Sequence, residues 1–162
     1  MSLFEKTTIG KPKVWLIEAA AAIGLDFSNL THEITSYFKN HSIKRHGDSK
    51  TEKARGQLPV TLADFDKISN IVKSPDCVII GIKRKNEILI AYSKKFEEET
   101  IIYYEEILNS HKNKALRSKT MYKKMGNVHN DTFLKIVENN AHTDITNIKV
   151  VGAGGYPGGE AE

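Results

Sequence analysis

The sequence predicts an α+β fold in which helices come first and a four-stranded antiparallel sheet follows. Three segments with helical spacing precede Pro75, and four segments rich in β-branched and aromatic residues lie between Cys77 and Tyr122. Only short polar turns separate the four strand segments, and short turns join strands that run antiparallel. Helices followed by strands, rather than alternating with them, are typical of the α+β class. A length of 162 residues favours one domain.

The first two helices are predicted from apolar residues that recur at helical spacing. The first covers Lys13–Ile23 and ends at Gly24, a residue common just after helix ends. The second begins after a cap among residues 28–31 and continues into His41. Its apolar residues fall on one side, so His32, on the other side, is expected to be exposed.

The third helix has clear signals at both ends. Thr61 and Asp64 have the spacing of a capping box, in which each side chain bonds the other residue's backbone. Ser74 precedes Pro75, and the residue before a proline disfavours helix. A helix is therefore predicted between these two points.

The strands are predicted at Cys77–Ile82, Glu87–Ser93, Thr100–Ile107 and Leu116–Tyr122. A period of two along the last strand puts Thr120 and Tyr122 on one face, with Lys119 and Lys123 on the other. Beyond it, residues 131–140 have the pattern of a short amphipathic helix, and the glycine-rich residues 152–162 are expected to be disordered. We divide the chain into an N-terminal helical segment (1–26), a main domain (27–125) and a C-terminal extension (126–162).

Composition excludes several classes of protein. Cys77 is the single cysteine, so no disulfide can form within the chain. No apolar stretch is as long as a membrane span and residues 1–13 have no secretion signal, so we expect a cytoplasmic protein with no membrane partner. The net charge is +4, and residues 111–124 carry six Lys or Arg and no acid. Such clustering favours a polyanion as partner, although solvated charge runs are also common.

The segment His41–Gln57 is the strongest candidate for a functional site. It contains two histidines, and from Lys39 onward it holds six Lys or Arg against Asp48 and Glu52. So polar a segment is expected to form a surface loop, where polar groups more often serve binding or chemistry than packing.

Common enzyme templates are missing from the chain. It has no phosphate-binding glycine loop with its lysine, no dinucleotide-binding glycine motif and no nucleophile elbow. His and Cys do not occur at metal-ligand spacing, so we expect neither a metal nor another cofactor. What remains is a set of His, Lys, Arg, Thr and Tyr. Metal-free cleavage of RNA by its own 2′-hydroxyl needs groups of this kind: a base, an acid and cations.

We assign candidate roles on that basis. His46, between Arg45 and Gly47, is the candidate base, because neighbouring positive charge favours a neutral imidazole. Thr120 and Tyr122 are candidates for binding phosphate or donating a proton. The remaining candidates are cations and RNA contacts: Lys44, Arg45 and Arg55 for phosphate, His41 at the helix end, Tyr92 for stacking on a base, Gln57 for a base edge, and Lys94 and Lys123 for the backbone.

The order of these motifs resembles a known family. His-x-x-Lys-Arg-His-Gly at 41–47, Gln-Leu-Pro-Val-Thr-Leu-Ala-Asp-Phe at 57–65, Ser-Pro-Asp before a strand, and Leu-Arg-Ser-Lys-Thr-Met-Tyr at 116–122 follow one another. The chain from Phe27 to Lys123 thereby resembles the phage-associated Barnase–EndoU–colicin–RelE-like (BECR) nucleases.

That resemblance implies an endoribonuclease that cleaves RNA, with tRNA among the candidates, without a metal. It also implies a toxin-like module, phage-encoded or delivered, with an antitoxin or immunity protein as partner. Matched by motif, His46 with Lys44 or Arg45, and Thr120 with Tyr122, surround the scissile phosphate. Two other readings stay open: an RNA-binding module that does not cleave, and a structural or packaging domain of a phage particle.

Overall fold

The computed structural model describes residues 5–141 and 147–152 of the chain. The elements follow in the order β1 (Lys6–Gly10), α1 (Val14–Ala21), β2 (His32–Thr35), α2 (Ser36–His46), α3 (Ser49–Ala54), a 3-10 helix (Leu62–Lys67), α4 (Ile68–Lys73), β3 (Cys77–Arg84), β4 (Glu87–Phe96), β5 (Glu99–Asn109), β6 (Lys114–Met125), α5 (Asn130–Ala141) and β7 (Lys149–Gly152). The predicted α+β class is confirmed.

The described strands form one seven-stranded sheet in the order β1-β2-β6-β5-β4-β3-β7, so the predicted count of four is wrong. The four predicted strands are β3 to β6, and they pair as the expected antiparallel meander. The sheet is mixed, because β2 runs parallel to β6. The additional strands β1, β2 and β7 have five, four and four residues. Segments this short carry too few alternations for a period of two to be recognised.

Each face of the sheet has its own apolar core. α1, α2, the 3-10 helix and α4 pack on the first face around Trp15 and Phe38. α5 packs on the second face through Phe133 and Val137, against a cluster that includes Tyr122. The second face is where the candidate site lies.

The end signals of the third helix are borne out. Thr61 and Asp64 form a capping box at the start of the 3-10 helix, which continues directly into α4. The helical segment ends at Lys73, just before Ser74 and Pro75. The helices predicted at 13–23 and 131–140 correspond to α1 and α5.

The second helix is correctly identified but begins later than the sequence predicts. Residues 32–35 form β2, and the Thr35 side chain accepts the backbone N–H of Phe38 at 3.1 Å, which caps α2. Pairing with both β1 and β6 stabilises an extended backbone that local spacing alone does not reveal. The prediction that His32 is exposed is wrong, because it is buried in β2 and its Nδ1 lies 2.8 Å from Glu105.

The segments at both ends of the chain contribute to the sheet. β1, within residues 1–26, pairs with β2, and β7, within residues 126–162, pairs with β3. The tail expected to be disordered lies outside the described residues, apart from Gly152 at the end of β7. No helix in the described part of the chain is long and apolar enough to cross a membrane.

Candidate functional site

A cavity of about 700 Å³ opens on the second face of the sheet. The end of α2 and the residues just after α3 border it on one side, β6 forms part of its floor, and the end of α5 borders it on the other side. Its polar lining residues are His41, Arg45, His46, Arg55, Gln57, Arg84, Tyr104, Lys119, Thr120, Tyr122, Lys124, Asn139 and Asn140. No carboxylate lines it, so the described lining is strongly basic.

The segment 41–57, expected as a loop, is mostly helical. α2 continues to His46 and ends at Gly47, where a Cβ would overlap the carbonyl oxygen of Ile43. Asp48 then caps α3, its carboxylate accepting the N–H groups of Lys50 and Thr51. The chain changes direction at this turn between the two helices, so that α3 packs beside the end of α2.

The turn brings His46 against Glu52. His46 Nδ1 lies 2.5 Å from Glu52 Oε1, and both side chains are buried. Arg55 Nη1 lies 3.2 Å from Glu52 Oε2 and also donates to the carbonyl oxygen of Arg45 at 3.0 Å. Backbone bonds fix the segment further, since Val60 N–H donates to the carbonyl oxygen of His46.

The contact with Glu52 determines which nitrogen of the His46 ring carries the proton. A carboxylate accepts hydrogen bonds only, so the neutral imidazole carries its proton on Nδ1. Its Nε2 then keeps a lone pair, and within residues 5–141 and 147–152 no side chain bonds that atom. A carboxylate that holds an imidazole in one tautomer, and stabilises the cation that forms, is a recurring arrangement in general-base catalysis.

A β-bulge sets the floor of the cavity. Tyr104 of β5 pairs with Thr120 and Glu105 pairs with Ser118, so Lys119 is an extra residue in β6. A bulge breaks the period of two and re-aims side chains. Lys119 and Thr120 therefore both line the cavity, and the prediction that Lys119 points to the opposite face is wrong. The Lys119 ammonium is ion-paired with Glu87.

His41 is a second imidazole at the cavity, one turn and a half before His46 on α2. Partial burial, followed by the electrostatic fields of Arg45, His46, Lys119 and Lys44, holds the pKa of His41 below its usual value. Both causes disfavour the imidazolium, so His41 is neutral at pH 7.

Tyr122 forms the inner wall. Its ring lies 5.8 Å from that of His46, and its hydroxyl accepts from Asn140 Nδ2 at 3.3 Å. Burial raises the pKa of Tyr122 far above its usual value. The phenol therefore stays protonated and is a weak proton donor.

Seven of the sequence candidates line this cavity: His41, Arg45, His46, Arg55, Gln57, Thr120 and Tyr122. Lys44 is exposed on α2 and is not among the lining residues. Its positive charge contributes to lowering the pKa of His41.

The other three candidates do not line the cavity, and the predicted RNA contacts of Tyr92 and Lys123 are wrong because both side chains are buried. Tyr92 is fully buried in the first core and donates to Glu105 at 2.6 Å, so it cannot stack on a base. Lys94 donates to the backbone oxygen of Ser74 at 2.6 Å. Lys123 is buried, with Nζ 2.9 Å from Asp64 and paired also with Glu99. The expectation for Tyr92 and Lys123 failed because tertiary packing buries both side chains, and local sequence does not reveal that burial.

Glu52 is the important residue that the sequence reasoning missed. In the sequence it is only one of two acids in a basic segment. The signal was nevertheless present: Gly47 and Asp48 form a helix stop followed by a helix cap. A second helix beginning there folds residue 52 back toward residue 46.

No group of three or more His, Cys, Asp or Glu in the described ranges is arranged to hold a metal ion.

Comparison with family models identifies the chain. A model described as phage-Barnase-EndoU-ColicinE5/D-RelE like nuclease3 matches residues 10–131, which is most of the chain. The protein therefore belongs to this phage-type nuclease family. Neither the search of curated proteins nor that of solved structures found a match to the chain.

Proposed function

We propose that the protein is a metal-independent endoribonuclease that cleaves RNA by attack of the 2′-hydroxyl on the adjacent phosphate. The observation that carries the proposal is the buried His46–Glu52 pair at the wall of a basic cavity. Membership of a nuclease family supports the reaction class. The phage-type family also supports a toxin-like role in the cytoplasm under the control of an inhibitory protein, which is part of the same proposal.

His46 is the general base of this proposal. Its Nε2 takes the proton of the 2′-hydroxyl while the oxygen attacks phosphorus. Glu52 holds the ring through Nδ1 and stabilises the imidazolium that results. A positioned base contributes roughly 10²- to 10⁴-fold to a rate.

The charge that develops on the phosphate is met by cavity cations. Arg45 lies on the exposed side of α2, and the partly exposed Arg55 is held against Glu52. Guanidinium groups suit this task because they bind two phosphate oxygens at once. The Thr120 hydroxyl, which lines the same cavity on β6, is assigned to donate a hydrogen bond to a third oxygen.

The bond from phosphorus to the 5′ oxygen breaks, and that oxygen takes up a proton. The raised pKa of Tyr122 argues against the phenol as its source. We assign the proton to the Lys119 ammonium, which the bulge turns into the cavity next to Thr120. The products are a 2′,3′-cyclic phosphate and a free 5′-hydroxyl.

The test uses the purified full-length chain and total RNA in excess chelator. Discrete fragments are expected from the wild type. His46→Ala should lose roughly 10²- to 10⁴-fold in cleavage rate while keeping its RNA affinity within a few fold. His111→Ala is the matched control, because this exposed histidine lies in the turn between β5 and β6, outside the cavity.

Two results would contradict the proposal: cleavage that stops when the chelator is added, or His46→Ala cleaving as fast as the control. Salt-dependent RNA binding without any cleavage would instead favour the non-catalytic RNA-binding module.

A further inference from the structure

Tyr37 is an aromatic side chain exposed beside the basic cavity. It lies in the first turn of α2 and is 58% exposed, whereas its neighbour Phe38 is buried in the first core. Among the five large apolar side chains that are exposed in the described ranges, it is the aromatic one. More than half of its surface is exposed, so burial in the core does not explain an aromatic side chain at this position.

The ring of Tyr37 is aligned with His41. The two rings are parallel within 9°, and their centroids lie 6.0 Å apart. They are four residues apart on α2, as are His41 and Arg45, so the three side chains lie one turn apart on the same side of the helix. This stripe of Tyr37, His41 and Arg45 has an exposed aromatic ring at one end, and its other two side chains line the cavity.

We propose that Tyr37 is a stacking platform for an unpaired nucleobase next to the scissile phosphate, and that it selects single-stranded RNA as substrate. The inference rests on the proposed function for its choice of RNA. Base stacking on an aromatic ring is tolerant of sequence because every base has a flat π face.

The chemistry of this stripe suits a single strand. In a duplex both faces of a base are covered by its neighbours, so a tyrosine on a helix surface cannot reach them. In an unpaired strand the base can turn out onto Tyr37 while the phosphate that follows meets His41 and Arg45. A duplex can contact only the cations, through its backbone.

The experiment measures binding to the non-cleaving His46→Ala chain, so that the substrate stays intact. A fluorescent single-stranded RNA and the same RNA annealed to its complement are titrated at one salt concentration. Adding Tyr37→Ala should weaken single-strand binding by about 5- to 150-fold. Duplex binding should stay within about twofold, and Tyr37→Phe should restore single-strand affinity, because stacking needs the ring and not the hydroxyl.

Leu62→Ala is the matched control. Leu62 is 74% exposed in the 3-10 helix and does not line the cavity, so its removal should change neither affinity. Single-strand binding unchanged by Tyr37→Ala would overturn the inference, as would an equal loss for both RNAs or no RNA binding at all. The outcome is independent of catalysis: a wild-type chain that binds but does not cleave RNA would overturn the proposed function and leave the stacking result standing.

Discussion

Replacing Glu52 by glutamine tests the orientation of His46 with almost no change of shape. Glu52 uses one carboxylate oxygen for His46 Nδ1 at 2.5 Å and the other for Arg55 Nη1 at 3.2 Å. An amide has only one oxygen, and the Arg55 guanidinium can only donate. The amide oxygen should therefore face Arg55, which turns the NH₂ group toward His46.

The consequence is a change of tautomer. Nδ1 must then accept a hydrogen bond, so the neutral ring carries its proton on Nε2, where the base needs a lone pair. We expect Glu52→Gln to slow cleavage by roughly 10²- to 10⁴-fold. At 1.36 kcal/mol per factor of ten, this corresponds to about 2.7 to 5.4 kcal/mol of lost transition-state stabilisation.

The effect on stability should be smaller. Hydrogen bonds to charged groups exceed neutral ones by about 1 kcal/mol each, so two of them give a loss of about 2 kcal/mol in the free energy of unfolding. A domain of this size is typically stable by about 5–15 kcal/mol, so the variant remains folded. The rate loss therefore cannot be attributed to unfolding.

The assay compares single-turnover cleavage of RNA with urea unfolding of the same samples. Asp48→Asn is the matched control: it removes one acid from the same helix, and asparagine caps helices as well as aspartate does. The control should cleave at the wild-type rate. If Glu52→Gln also cleaves within about threefold of the wild type, the carboxylate does not orient a catalytic base and the reasoning fails.

Three further changes have defined outcomes. Arg45→Gln removes a positive neighbour, so NMR titration should find the pKa of His41 raised toward its usual value, and the slope of log affinity against log salt for single-stranded RNA should fall by about 0.7. Lys123→Ala removes the ammonium beside the buried Asp64 and the partly exposed Glu99 and leaves Lys67 as the cation beside Asp64, so urea unfolding should register a loss of about 1–3 kcal/mol, while the cleavage rate of the folded protein stays unchanged. Gly47→Ala forces a methyl group against the carbonyl oxygen of Ile43, so thermal unfolding and cleavage should both reveal a displaced helix end, at a cost of about 1–3 kcal/mol in stability.

Local signals were enough to predict the helices with clear ends and the central strands. Thr61 and Pro75 mark the two ends of a helical segment, and each acts on the backbone within a few residues of itself. The strands β3 to β6 are long runs of residues that favour strands. The short strands were missed because their stability comes from partners distant in the chain. β2 is the clearest case: its four residues pair with both β1 and β6.

The candidate site was predictable by composition and only partly by geometry. The basic segment identified His41, His46 and the two arginines, all of which line the cavity. Contacts between residues distant in the sequence determine the rest of the site geometry. The bulge in the pairing of β6 with β5, for example, puts Lys119 on the face opposite to the predicted one. Exposure was likewise set by tertiary packing, because His46 is buried beside Glu52 of α3 and Tyr122 of β6.

The identity of the cleaved ends tests the central claim most directly. A synthetic single-stranded RNA is incubated with the purified chain in excess chelator, and the fragments are weighed by mass spectrometry. Attack by the 2′-hydroxyl predicts fragments ending in a 2′,3′-cyclic phosphate, and no cleavage 3′ of any nucleotide replaced by its 2′-deoxy form. Fragments with a 5′-phosphate and a 3′-hydroxyl, or cleavage beside the deoxy nucleotide, would contradict it.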